Sequence, residues 1–205
     1  MTRLALAVAA LVVAGGVGFG LWTLLAPRAD ALAACREGGA LTGAEIGGPF
    51  ELVSETGETV SSTALIDRPT LIYFGFANCE RICPVDAFNM GRAADLLEAE
   101  ATPVRTLFVS IDPARDTPEA LAAYTDAMHP EMIGLTGSEQ AVAEAAKAYK
   151  VYYARAGDDP ERYMMDHSTF TYLVHPDAGL LDFFRHDTPP ETIAERVACH
   201  ARALG

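Results

Sequence analysis

Positive charge is scarce in this chain. Fifteen Lys and Arg stand against 28 Asp and Glu, a net charge of −13 over 205 residues. That balance excludes a nucleic-acid binder, which needs a cationic face to release counterions from phosphate, and it excludes docking of the body on anionic lipid. Cysteine is sparse as well: four residues, at positions 35, 79, 83 and 199. No internal repeat or low-complexity segment follows the N-terminus, so a repeat array is excluded. Charge is missing altogether from residues 4–27 (LALAVAALVVAGGVGFGLWTLLAP).

That uncharged run is long enough to cross a bilayer, since about 20 helical residues span the hydrocarbon core. The only Trp, Trp22, falls near its far end, where an indole suits the interface. Residues 1–29 are therefore expected to be a membrane anchor. A cleaved signal peptide is the competing reading, with Ala31-Leu32-Ala33 as the processing site. A lipobox at Leu32-Ala33-Ala34-Cys35 is a third, set apart from the apolar run by Arg28 and Asp30. Arg3 before the span gives an N-in orientation. The expected location is then a single-pass bacterial inner-membrane protein with its body in the periplasm. Residues 30–47, rich in small residues and Gly, read as a linker, and residues 48–205 have the size of one domain with a proper core.

Within that domain, residues 50–53 and 59–61 flank Glu55-Thr56-Gly57-Glu58, a hairpin signal with Gly in the turn. Residues 70–76 (TLIYFGF) and 104–111 (VRTLFVSI) are continuous apolar runs, as in strands buried on both faces. Helical spacing marks residues 86–100. Thr117-Pro118 opens a second helix, with Thr117 as N-cap and Pro118 in the first turn. Ser138 caps an alanine-rich helix, residues 151–153, 169–175 and 180–184 read as strands, and residues 190–203 form the last helix. The order β-β-β-α-β-α-α-β-β-β-α predicts an α/β sandwich, a central sheet with helices on both faces.

Cys79-Glu80-Arg81-Ile82-Cys83-Pro84 follows the first buried strand and enters a helix. The i, i+4 spacing puts both sulfurs on one side, and a helix N-terminus favours thiolates, so both can be thiolates near neutral pH. Two thiolates suit Cu(I), and an added imidazole extends the set to Cu(II). Taken alone, the pair has two lesser readings, a structural disulfide and a metal-free redox couple. His167, in Met164-Met165-Asp166-His167-Ser168, enters a neighbouring strand and is the candidate third ligand. Asp166 is a candidate to orient its ring, and Met164 and Met165 read as packing or loop residues, with auxiliary ligation as the alternative. His129, His175, His186 and His200 read as surface histidines. Cys35 and Cys199 are either a structural disulfide between the N-terminal arm and the last helix or two buried thiols. Asp112-Pro113-Ala114-Arg115-Asp116 reads as a strand-end turn with Arg115 paired to Asp116.

These residues together resemble the Sco/SenC family of copper chaperones. The match is carried by Gly48-Pro49-Phe50-Glu51-Leu52, Tyr73-Phe74-Gly75-Phe76, Cys79-x-x-x-Cys83-Pro84, Val109-Ser110-Ile111-Asp112-Pro113-x-Arg115-Asp116-Thr117-Pro118, Gly134-Leu135-Thr136-Gly137 and Asp166-His167-Ser168. The resemblance implies a thioredoxin-like fold and a copper ion bound by Cys79, Cys83 and His167. It also implies delivery of copper to the binuclear site of cytochrome c oxidase subunit II. Another periplasmic copper chaperone or a thiol reductant is the expected upstream partner. The same two cysteines serve the alternative, a membrane-anchored thiol-disulfide reductase for the oxidase's copper-ligand cysteines. A peroxiredoxin-type peroxidase fits poorly, because it needs a single activated cysteine. One departure stands out: the family usually has Pro-Asp after the first cysteine, whereas Glu80-Arg81 stand here and add a cation between the sulfurs.

Overall fold

The computed structural model describes residues 32–37, 46–159 and 162–205. The expected membrane anchor lies outside these residues, as does most of the linker. Among the described residues no helix is long and apolar enough to cross a membrane.

Nine strands form. They are β1 (Glu51–Ser54), β2 (Thr59–Ser61), β3 (Thr70–Gly75), β4 (Arg105–Ser110), β5 (Met132–Thr136), β6 (Tyr153–Ala156), β7 (Met164–His167), β8 (Thr171–His175) and β9 (Gly179–Phe184). Seven build one mixed sheet in the order β2-β1-β5-β4-β3-β8-β9, and β6 and β7 make a separate antiparallel ribbon. Among the described residues five α-helices accompany them, besides a 3-10 turn at Ala33–Cys35: a single turn, α1 (Ser62–Leu65), then α2 (Ile82–Ala99), α3 (Pro118–Met128), α4 (Glu139–Ala148) and α5 (Pro190–Leu204).

The sheet centre is parallel, β3 beside β4 beside β5, and β8 adds antiparallel to β3. Every residue of β3 is buried, so both of its faces are covered, as its unbroken apolar run requires. Tyr73, Phe74, Phe108, Tyr149 and Tyr172 fill the middle, with Phe74 and Tyr149 rings 5.4 Å apart. The first hairpin forms as predicted, its turn closed by Gly57 at φ +83°, a conformation that costs a side-chain-bearing residue dearly. Thr117 and Ser138 accept from the amides of Ala120 and Ala141, capping α3 and α4.

Two of the strands were not predicted. β5 pairs parallel with β4, but its short MIGLT sequence contains a strand-weakening Gly134. It is held from outside: the Glu55 carboxylate accepts the Gly134 amide at 2.6 Å and the Thr125 hydroxyl at 2.6 Å. β7, Met164-Met165-Asp166-His167, lacks β-branched residues and exists through its pairing with β6.

Cys35 and Cys199 are joined by a disulfide with Cα atoms 5.6 Å apart, tying the 32–37 segment to α5. The sulfur of Cys35 is therefore not available for the lipid that a lipobox would attach. Beside it the Arg36 Nε donates to the Leu181 carbonyl at 2.6 Å. His200 is not a surface residue. It is buried with Asp182, whose carboxylate accepts from His200 Nε2 at 3.1 Å and from Arg196 Nη2 at 2.6 Å, joining β9 to α5.

Candidate metal centre

β3 ends at Gly75, and the chain turns through Phe76 and Asn78 into α2. Two bonds fix this turn: the Ala77 amide donates to Asp116 Oδ2 at 3.0 Å, and the Cys79 amide to the Phe76 carbonyl at 3.2 Å. Cys79 thus stands ahead of the helix, and Cys83 sits in its first turn. The Cys83 amide, one of the donors a helix start leaves without an intrahelical partner, points at Cys79 Sγ, 3.2 Å away.

The two sulfurs differ in burial. Cys83 is fully buried, while Cys79 is only nearly so and lines a cavity. Hydrogen bonding from Cys83, supported by the helix-start amides, depresses the Cys79 thiol to about 3. Burial, reinforced by the neighbouring Cys79, drives the Cys83 thiol far upward. The expectation that both can be thiolates is corrected: the pair carries one negative charge, held on Cys79, because a second would be buried against it without solvent.

His167 closes the site from the end of β7. Its Nδ1 lies 2.8 Å from the Ser168 carbonyl, which can only accept, so Nδ1 bears the hydrogen and Nε2 presents its lone pair. Nε2 lies 3.5 Å from Cys83 Sγ. The ring stands edge-on to Tyr73 and Phe76, with centroids 6.2 and 5.9 Å away, which fixes its plane. Ser168, not Asp166, orients the imidazole. The two sulfurs and one imidazole nitrogen all lie within 4.8 Å of one another, and this is the one such metal-competent group among the described residues.

A cavity of about 480 Å³ opens onto the group, with Phe76, Cys79, Arg81, Tyr152, Met164 and His167 in its wall. Met164 is exposed there, while Met165 packs toward the core. Arg81 lies at the exposed entrance. Deeper in, Asp86 is buried one turn along α2 from Cys83. It accepts from His186 Nδ1 at 3.0 Å and from the Asp187 amide at 2.9 Å, and burial raises its pKa.

Sequence reading missed the supports of the site. Arg115 is held by Asp112, not by Asp116. Its Nε reaches Asp112 Oδ2 at 2.5 Å, whereas Asp116 accepts from Ser110 Oγ at 2.6 Å and from the thiol turn. The run Asp112-Pro113-x-Arg115-Asp116 was a visible signal, but nothing in it named the partners.

Cys79 and His167 in the wall of a cavity, with the buried Cys83 sulfur within 4.8 Å of both, carry the decisive comparison. The sequence pattern of SCO1/SenC matches residues 39–202. The chain belongs to the SCO1/SenC family. Protein SenC of Rhodobacter capsulatus is 44% identical over 198 residues, covering 97% of this chain and 89% of that one. The crystal structure of Arabidopsis thaliana ScoI with copper bound is similar at TM-score 0.72 and 33% identity, over 77% of this chain and 99% of that one. BsSco, a member of the Sco family of cytochrome c oxidase assembly proteins, is similar at TM-score 0.59 and 30% identity, over 74% of this chain and 91% of that one. The fold of this SCO1/SenC chain is accordingly thioredoxin-like.

Proposed function

We propose that this chain is a copper metallochaperone that holds Cu(I) and Cu(II) through Cys79, Cys83 and His167 and passes copper to the binuclear site of cytochrome c oxidase subunit II. The observation that carries the reading is the donor set: two sulfurs and the lone pair of Nε2 within 4.8 Å of one another beside an open cavity. Thiolates favour Cu(I), and the imidazole extends the set to Cu(II). Copper is cargo here. The Cys79 thiolate is already the ligand form and faces the entrance, so it meets the ion first. The Cys83 thiol must release its proton to solvent for the second bond, which leaves the bare Nε2, 3.5 Å from Cys83 Sγ, as the third donor. Release begins at the same sulfur, with Cys79, the more accessible one, exchanging against the acceptor's ligands. The copper-bound relative and the oxidase-assembly relative support this assignment. Anchoring by residues 4–27, with the body in the periplasm, belongs to the same proposal.

The depressed Cys79 pKa also favours a second reading, a thiol-disulfide reductase for the oxidase's copper-ligand cysteines. The Cys79 thiolate would attack a client disulfide and release one client thiolate. Cys83 would then displace the second as the Cys79–Cys83 bridge forms, leaving the client with two thiols. A thiol reductant must reopen the bridge. This route uses both cysteines and has no use for His167.

Copper titration of the reduced body separates the two. Wild type takes up one copper per chain, and His167→Ala loses Cu(II) binding. Unchanged Cu(II) binding by His167→Ala overturns the three-ligand site. In a deletion strain, restoration of oxidase activity by His167→Ala without added copper favours the reductase.

A further inference from the structure

His167 belongs to a ribbon that is not part of the main sheet, so its approach to the sulfurs depends on what ties that ribbon to the body. The tie is a cluster around Tyr163, the residue immediately before β7. Tyr163 is buried, and its hydroxyl donates to Asp112 Oδ1 at 2.6 Å. The other carboxylate oxygen of Asp112 binds Arg115 Nε. Arg115 Nη1 in turn donates to the Tyr163 carbonyl at 3.0 Å. The Arg115 guanidinium stacks on the Tyr163 ring at 3.7 Å, with Arg155 of β6 on the ring's other side at 4.1 Å. Arg115 also lies 6.0 Å from the centroid of Phe76, the ring that stands edge-on to His167.

The same short turn holds the other half of the site. Asp116, next to Arg115, accepts the Ala77 amide at the start of the thiol-bearing turn. Residues 112–116 therefore grip the cysteine loop with one carboxylate and the histidine ribbon with the other. We propose that Arg115, with Asp112 and Tyr163, is the positioning latch that sets His167 at bonding distance from Cys83, and so sets how well the site holds Cu(II) relative to Cu(I). The inference rests on the reading of Cys79, Cys83 and His167 as a copper site. A guanidinium suits the task because its planar fork binds a carboxylate and a carbonyl at once while its face stacks on an aromatic ring. Cu(I) is satisfied by two thiolates, whereas Cu(II) depends on the imidazole, so a displaced ribbon weakens the two ions unequally.

The test compares Arg115→Gln and Tyr163→Phe with wild type and His167→Ala by competition titration with Cu(I) and with Cu(II). The visible and electron paramagnetic resonance spectra of the Cu(II) forms are recorded alongside. Supporting groups around metal ligands typically contribute about 10- to 100-fold in affinity, and a Cu(II) loss of that size is expected for Arg115→Gln. Its spectrum should shift toward that of His167→Ala, with Cu(I) affinity within about threefold of wild type on the same scale. Tyr163→Phe, which keeps the ring and loses only the hydroxyl, should show the same split in smaller measure; it decides the matter if Arg115→Gln does not fold. A wild-type Cu(II) spectrum and affinity in a folded variant overturns the latch and leaves the copper site standing. Equal weakening of Cu(I) and Cu(II) also overturns it, because that is the mark of general destabilisation. Failure of wild type to bind copper at all overturns the copper reading itself, and the latch with it.

Discussion

Cys35 and Cys199 stand 164 residues apart and are bonded, while Cys79 and Cys83 stand four apart and are both free thiols. The distant pair is brought together by packing of the 32–37 segment on α5, and its work is mechanical: it closes almost the whole domain into one loop. The near pair straddles a helix start. There the Cys83 amide bonds the sulfur of Cys79, and an imidazole nitrogen sits 3.5 Å from Cys83. Sulfurs that are stapled shut carry no chemistry beyond the staple. Sulfurs held side by side without a bond, one charged and one protonated, are ready for an ion or an electrophile. Proximity in sequence therefore does not decide which pair is structural; the neighbours of each sulfur do.

The largest effect that would break this contrast is loss of either site cysteine. Cys79→Ala and Cys83→Ala should each abolish one-to-one copper uptake while leaving the fold intact, measured by metal analysis after gel filtration and by thermal unfolding. Retention of stoichiometric copper by either would show that the near pair is not the metal-binding pair. Second in size is the staple. Cys35→Ser should lower unfolding free energy by about 2–5 kcal/mol, the usual range for loss of a native bridge, with copper stoichiometry unchanged. Denaturant unfolding reads the first quantity. A drop in copper stoichiometry of the folded variant would mean that the two pairs are coupled.

The smallest effect concerns charge within the near pair. With Cys79 lowered to about 3 from 9.0, its ionisation contributes stability that is complete above the unfolded thiol's pKa. That contribution declines as pH falls from there through the folded value. Cys83, raised by burial, stays protonated throughout this window. Alkylation of the reduced protein followed by peptide mapping should therefore label Cys79 at a rate nearly flat from pH 8 to pH 5. In urea the rate should fall about tenfold per pH unit below the ordinary thiol pKa. Equal labelling of both cysteines at pH 5 in the folded protein would remove the asymmetry on which the ligand-exchange order rests.

Much of this arrangement is legible in the chain itself. The unbroken runs at β3 and β4 announce strands buried on both faces, Thr117 and Ser138 announce helix starts, and Gly57 announces a turn. The near cysteine pair, placed between a buried strand and a helix, is readable because that junction always faces one end of the sheet. β5 and β7 were not readable. One contains a glycine and the other has no β-branched residue, and each owes its form to a partner distant in sequence: Glu55 and β4 for the first, β6 for the second. The burial of His200 was hidden for the same reason, since Asp182, which also binds Arg196, pairs with it only after α5 packs on β9.

By itself the sequence determined the order of most elements, the family, the identity of the sulfur donors and the acidity that keeps nucleic acid away. These follow from local patterns, which depend on side-chain period, turn chemistry and composition alone. Only the tertiary structure decided that Cys79 and not Cys83 carries the charge, that Ser168 and not Asp166 turns the imidazole, and that Arg115 grips Asp112 and Tyr163. Each of those outcomes depends on desolvation or on a hydrogen bond between groups set by three-dimensional packing, and such energies do not exist until the chain has folded.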